Sequence, residues 1–157
     1  MKKEITIDEW IYHYLRNEDT YEQTDNFLRR VYKRCDVLVV RYGSPLSRKI
    51  FKLAKESQYW NQSQRQAIKS FMRQFVYNSD KMKIIYKAPP IGEKLKQKLP
   101  HKDIYLVETA LVTDSKFVLT TDRELCSAIN KLKDELGIDC SVLEDFLSEY
   151  IKESNYI

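Results

Sequence analysis

Apolar positions along the chain change between two periods. Short apolar stretches lie at 4–7 (EITI), 36–40 (DVLVV), 116–120 (KFVLT) and 138–142 (IDCSV), with a weaker fifth at 82–86. Runs of this length and composition read as strands, and strands apolar on both faces suit the interior of a parallel sheet. Between them the spacing becomes helical. Residues 10–15 are amphipathic, 62–78 carries Ala67, Ile68, Phe71, Met72, Phe75 and Val76 on or near one face, and Ile104, Val107, Ala110 and Leu111 recur at helical intervals. Residues 45–55 follow the second strand, 123–136 reads as a helix stopped by Gly137, and 143–153 closes the chain as a helix. Alternating strands and helices predict an α/β domain of three layers around a central, mostly parallel sheet.

Punctuation is sparse. Residues 19–24 read as a polar connection and 87–92 (KAPPIG) as a loop in which Pro89 and Pro90 block helix. The chain holds no repeat, low-complexity tract or Gly/Ser linker, so a single domain over 1–157 is expected. Its three glycines have neither dinucleotide-fingerprint nor P-loop spacing, which argues against a nucleotide site despite the α/β pattern. A hydrophobic content of 43% argues against a disordered chain, and no apolar run approaches the ~20 residues of a membrane span. Met1-Lys2-Lys3-Glu4 lacks the apolar segment of a secretory signal, and Cys35, Cys126 and Cys140 have no patterned spacing, although two of them could still pair. A cytoplasmic location is the expectation. With His13 and His101 isolated and no C-x-x-C, zinc is disfavoured.

The segment 102–122 holds the candidate chemistry. In an α/β layer the helices run antiparallel to parallel strands, so the start of the helix near 104 and the end of the strand at 120 share one edge of the sheet. Asp103 opens that helix, Asp122 follows that strand, and Asp8 follows the first strand. If strands 5–7 and 116–120 are neighbours, three carboxylates converge. Two unit charges at ~4 Å repel by about 4 kcal/mol at an effective dielectric near 20, and a hard cation such as Mg²⁺ or Mn²⁺ would relieve this. A structural alternative applies to each acid separately. Carboxylates at helix starts stabilise free N–H groups by roughly 0.5–2 kcal/mol, and Thr121 with Glu124 forms a T-x-x-E capping box around Asp122.

The pattern D-x-x-x-x-x-T-A at 103–110, followed after a turn by an apolar strand and Thr120-Thr121-Asp122, resembles the signature of the PIN-domain (VapC-like) ribonucleases. The following helix, last strand and closing helix are similar as well. Membership would imply a PIN-like three-layer α/β/α fold in which acids hold one or two divalent ions that promote phosphodiester hydrolysis in RNA. By position, the resemblance assigns Asp8, Asp103 and Asp122 as metal ligands and catalytic residues, with Thr120 or Thr121 orienting a carboxylate or water. It further implies a toxin held by an antitoxin protein, and a homodimer for which residues 10–14 and Tyr59-Trp60 offer aromatic anchors if they are not core.

Two departures stand against this pattern. The helix after the second strand offers Ser47, Arg48 and Lys49 where the family commonly has another acid, and Asp8 is followed by Glu9-Trp10 instead of a small polar pair. Glu108, about 7.5 Å along the helix from Asp103, is the candidate replacement, because helical side chains lean toward the N-terminus and a long Glu could reach a water or second ion; an exposed or structurally paired Glu is the equal alternative. The rival expectation is a degenerate PIN-like module that binds RNA or a protein without cutting, with Arg48 and Lys49 disfavouring a second ion.

Net charge sharpens the picture only locally. The balance of 27 Lys and Arg against 23 Asp and Glu gives +4, a weak nucleic-acid signal. Lys81, Lys83 and Lys87 precede the Pro loop, whereas Lys94, Lys96, Lys98 and Lys102 follow it and lead to Asp103, where counter-charge for an RNA backbone would be needed. Eleven tyrosines add stacking surfaces. The alternative for these lysines is an ordinary solvated face.

Overall fold

The structure, a computed structural model, describes residues 2–154; the remainder of the expected 1–157 domain lies outside the described residues. The order is β1 (Glu4–Ile7), α1 (Trp10–Arg16), α2 (Tyr21–Lys33), β2 (Val37–Arg41), α3 (Pro45–Lys49), α4 (Lys52–Lys55), α5 (Gln62–Phe71) and β3 (Met82–Ile85). It continues with α6 (Glu93–Lys96), α7 (Ile104–Leu111), β4 (Phe117–Thr120), α8 (Arg123–Lys131), α9 (Lys133–Leu136), β5 (Asp139–Val142) and α10 (Leu143–Ser154). The five strands form one all-parallel sheet in the order β3-β2-β1-β4-β5. Successive crossovers move outward from β1 to β3 and then return to the other side of β1, so the topological switch lies between β1 and β4. Ile5, Thr6 and Ile7 pair with Phe117, Val118 and Leu119, which makes the first strand and the strand at 117–120 neighbours as expected.

Each strand divides its side chains between two cores, because successive residues point to opposite faces. Ile5, Ile7, Leu38, Val40, Phe117 and Leu119 pack with α1, α2, α5 and α10 on one face. On the other, Val118 and Cys140 join Leu106, Val107, Leu125 and Ile129 from α7 and α8. Both faces are therefore covered, giving three layers. Among the described residues, no helix is long and apolar enough to cross a membrane. All three cysteines are free.

Several local expectations shift. The polar connection at 19–24 is shorter, since α2 begins at Tyr21 and buries Tyr21, Thr24, Phe27, Leu28 and Val31 at helical spacing. The helix at 62–78 ends regularly at Phe71 and continues as a π-type turn over Met72–Val76 that keeps Met72 and Phe75 buried. The helix at 123–136 divides at Leu132, and the one at 45–55 at Ile50 and Phe51. Gly137 adopts φ +70°, a left-handed helix stop that other residues reach only with strain. Trp10, Tyr12 and Ile11 are core residues, which removes them as dimer anchors; Tyr59 is exposed and Trp60 is half-buried against the core. The lysines before the Pro loop also divide. The Lys81 ammonium donates to the carbonyls of Val31, Arg34 and Asp36 at the end of α2, and Lys83 pairs with buried Glu4 at 2.9 Å, whereas Lys87 is exposed.

Trp10 joins the two halves of the sheet. Its indole N–H donates to the Leu119 carbonyl at 2.9 Å, and its backbone N–H donates to Asp8 at 3.0 Å. Trp10→Phe keeps an aromatic ring but leaves a buried carbonyl without its donor, so urea unfolding at pH 7 should report a loss of roughly 1–3 kcal/mol.

Candidate active site

Continuing the ladders puts Asp8 level with Thr120, one residue past the last β1–β4 pair, and with Arg41, two residues past the last β1–β2 pair. The side chains agree. Asp8 Oδ1 accepts the Trp10 N–H, and its Oδ2 accepts the Thr120 hydroxyl at 3.2 Å. The same Thr120 Oγ1 accepts the Asp122 N–H at 3.1 Å, so one hydroxyl couples the ends of β1 and β4. Asp122 is the N-cap of α8: its Oδ1 accepts from Glu124 N at 3.0 Å and Leu125 N at 3.1 Å. The cap is thus Asp122 itself, displacing the Thr121-to-Glu124 box expected from the sequence.

Asp103 behaves differently. It ends a single 3₁₀ turn, His101–Asp103, and makes no capping hydrogen bond to α7. Its Oδ2 is buried with no hydrogen-bond partner. An orphaned carboxylate oxygen is costly to bury, so helix capping does not account for this residue.

Asp8, Asp103, Asp122, Thr120 and Thr121 all line one cleft of about 250 Å³ at the C-terminal edge of the sheet. The shared edge expected from helix and strand direction is therefore realised. Glu9, His13, Lys102 and Tyr105 line it too, with Trp10 and Pro45 completing its wall. Of these, Glu9, His13 and Tyr105 are site residues that neither the strand-end rule nor the family resemblance assigns. Glu9 carries a visible signal, being a second acid directly after Asp8, and Tyr105 sits two residues after Asp103.

Glu108 does not reach this cleft. Its carboxylate accepts the Ile91 N–H at 2.9 Å and ties α7 to the Pro loop. Five residues beyond Asp103, it faces a different neighbour, and the lean of helical side chains does not close that gap. The cationic candidates are similarly redistributed. Lys102 lines the acidic cleft, whereas Lys98 lines a separate groove of about 540 Å³ with Arg123, Glu124 and Lys131, and Arg123 also pairs at the surface with Glu144 at 3.3 Å. Lys96 pairs with Glu93 at 3.5 Å and Lys94 is exposed on α6. At the position of the absent acid, Lys49 pairs with Glu9 at 2.9 Å, while Arg48 is exposed.

Burial dominates the electrostatics. It pushes the Asp8 carboxyl up to about 6, with Asp103 and Glu9 adding to the rise against the opposing Trp10 and Thr120 hydrogen bonds. Asp103 is also raised, first by burial and then by Asp122 and Glu9, while Lys102 opposes. The Tyr105 phenol is pushed up by burial and by Asp8, Asp103 and Glu9, so it remains a hydrogen-bond donor at neutral pH. The Lys49 hydrogen bond outweighs burial at Glu9 and holds that carboxyl below its ordinary value.

The donor chemistry suits a hard divalent cation: carboxylates, hydroxyls and an orphaned buried oxygen, with no sulfur ligand in the cleft. Among the described residues, however, no three of His, Cys, Asp and Glu stand as a group able to hold a metal ion. Mg²⁺ commonly uses one or two carboxylates and keeps several waters, so the residues fit a sparse site better than an all-protein cage. Comparisons find no matching family model, no matching curated protein and no matching solved structure.

The raised Asp8 pKa has a definite sign. Between the unfolded value near 4 and the folded value of about 6, the native state holds a proton that the unfolded state has lost, so stability falls as pH rises through this window. In metal-free buffer, Asp8→Asn should flatten that fall and raise stability at pH 7 by about 1–2 kcal/mol. Denaturant midpoints at pH 4, 5, 6 and 7 would measure it, and an unchanged pH slope would reject the assignment.

Proposed function

We propose that the chain is a PIN-like, Mg²⁺- or Mn²⁺-dependent endoribonuclease whose acids are Asp8, Asp103 and Asp122. The single observation supporting this most is the orphaned, buried Asp103 Oδ2 in a cleft that also gathers Asp8 and Asp122 from two neighbouring strands. A divalent ion bound there would supply Lewis-acid stabilisation of charge on the phosphate during hydrolysis. Asp8, Asp103 and Asp122 would hold the ion, and the Thr120 hydroxyl fixes the Asp8 carboxylate against the start of α8. Thr121 is available to orient a water. Lys102 at the cleft supplies positive charge for the RNA backbone, and Lys98, Arg123 and Lys131 extend it beyond Asp122 along the neighbouring groove. An antitoxin partner and a homodimer rest on the family resemblance alone.

Cleavage of mixed RNA with Mn²⁺ tests the chemistry. Asn at position 122 can still accept the capping N–H bonds while removing the charge, so Asp122→Asn should fold normally and lose about a hundredfold or more in kcat/KM. Asp103→Asn should abolish Mn²⁺ binding measured by calorimetry. Activity of Asp122→Asn equal to wild type would reject hydrolysis at this cleft.

A second reading has its own support. Lys49 neutralises Glu9 where the family has its further acid, and among the described residues no three-acid metal group is formed, which favours an RNA- or protein-binding module that does not cut. RNA binding that persists in EDTA, without measurable Mn²⁺ binding, would select it.

Either reading needs counter-charge beside the acids. Changing Lys98 and Arg123 together to Glu should weaken RNA binding at low salt and make its salt dependence shallower, because fewer counterions are released. Metal affinity should remain nearly unchanged. An identical log Kd against log salt slope for wild type and variant would remove this groove from the RNA path.

A further inference from the structure

Tyr42 and Tyr86 follow β2 and β3 directly and are 62% and 64% exposed, so core packing does not account for them. They are nonetheless held in place. Tyr42 N donates to the Ile85 carbonyl at 3.0 Å, and the two rings lie 5.1 Å apart with a 36° tilt. Arg41 and Ile85 are register partners, so the tyrosines extend from the same rung of the sheet. Gly43, at φ +78°, then turns the chain into Ser44 and Pro45, and Pro45 lines the acidic cleft. Adjacent strands lie roughly 5 Å apart, which places the two tyrosine-bearing strands about 5 and 10 Å from the strand of Asp8.

Charge lies on either side of this pair. Arg41 is half-buried and level with Asp8, its guanidinium donating to Thr109 on α7 at 3.5 Å, and Lys87 is exposed directly after Tyr86. Paired aromatic faces beside cations suit a chain that presents bases and phosphates together. A duplex hides the base faces, so the chemistry selects unpaired nucleotides.

We infer that Tyr42 and Tyr86 form a stacking platform for unpaired bases of single-stranded RNA, whose backbone continues past Arg41 into the acidic cleft. This rests on RNA being the ligand, as proposed above. It deepens that proposal by assigning the Tyr42–Tyr86 pair as the contact for unpaired bases and β2 and β3 as the side from which the strand arrives. The exposed rings add no contact to the core, so their removal should spare the fold.

The test is fluorescence anisotropy of a labelled ten-nucleotide single-stranded RNA titrated with the full chain in EDTA, in parallel with the same sequence as a duplex. Tyr42→Leu and Tyr86→Leu should each weaken single-strand binding roughly tenfold. Tyr42→Phe and Tyr86→Phe should stay within about twofold of wild type, because the ring face is kept. Duplex affinity should be the same for all five proteins. Single-strand affinity unchanged in both Leu variants overturns the platform, even where Mn²⁺-dependent cleavage persists; this outcome would fit a protein-docking use of the tyrosines. Equal losses in the Phe and Leu variants also overturn it. Ring-dependent binding without any cleavage upholds the platform and overturns hydrolysis.

Discussion

The parallel pairing of β1 with β4 is the constraint on which the candidate site depends. These strands are distant in sequence, and only their adjacency puts Asp8 beside Thr120 and Asp122. Three contacts hold the junction: the ladder, the Thr120 hydroxyl bridge and the Trp10 indole on Leu119. The ladder sets the height of Asp8, the hydroxyl sets its rotation, and the indole seals the apolar side beneath it. Asp103 then arrives from above, because α7 must run antiparallel to the strands to cover them. An acid at its start necessarily meets the strand ends.

That directional logic was legible in the chain. Five strands and the shared edge of Asp8, Asp103 and Asp122 follow from short apolar runs, helical spacing and the antiparallel rule. What was not legible depends on contacts between distant residues. Lys49 finds Glu9 across forty positions, and Lys81 finds the end of α2 across about fifty, and no local pattern announces either pair. Of the two uses the sequence left open for Glu108, the structural one is found: its carboxylate accepts an Ile91 N–H freed by the Pro loop. The start of α2 was hidden by the polarity of its solvent face, although Tyr21, Thr24, Phe27, Leu28 and Val31 keep helical spacing.

The capping alternative resolves residue by residue. Asp122 caps α8 with one oxygen, Asp8 binds one helix N–H while also receiving Thr120, and Asp103 caps nothing. Structural and chemical uses are therefore compatible in the first two acids, since a carboxylate has lone pairs enough for both. Asp103 alone has no structural occupation for its buried oxygen. A buried acceptor without a partner is a standing penalty that folding does not require, and on the hydrolytic proposal an ion would remove it.

Charge balance around the cleft orders the events on that proposal. Among the described residues, Asp8, Glu9, Asp103 and Asp122 set four carboxylates against the ammonium groups of Lys102 and Lys49, a difference of about two negative charges with His13 neutral, the amount one divalent cation cancels. A polyanion would be repelled from the cleft until that cancellation occurs, whereas the Lys98, Arg123 and Lys131 groove attracts it throughout. RNA would accordingly engage the flanks first and enter the acidic centre only once the ion is bound. Lys49 bears directly on this order. By holding Glu9 it lowers the negative charge available to the cleft, so a single ion suffices and a second would meet an ammonium in place of a carboxylate.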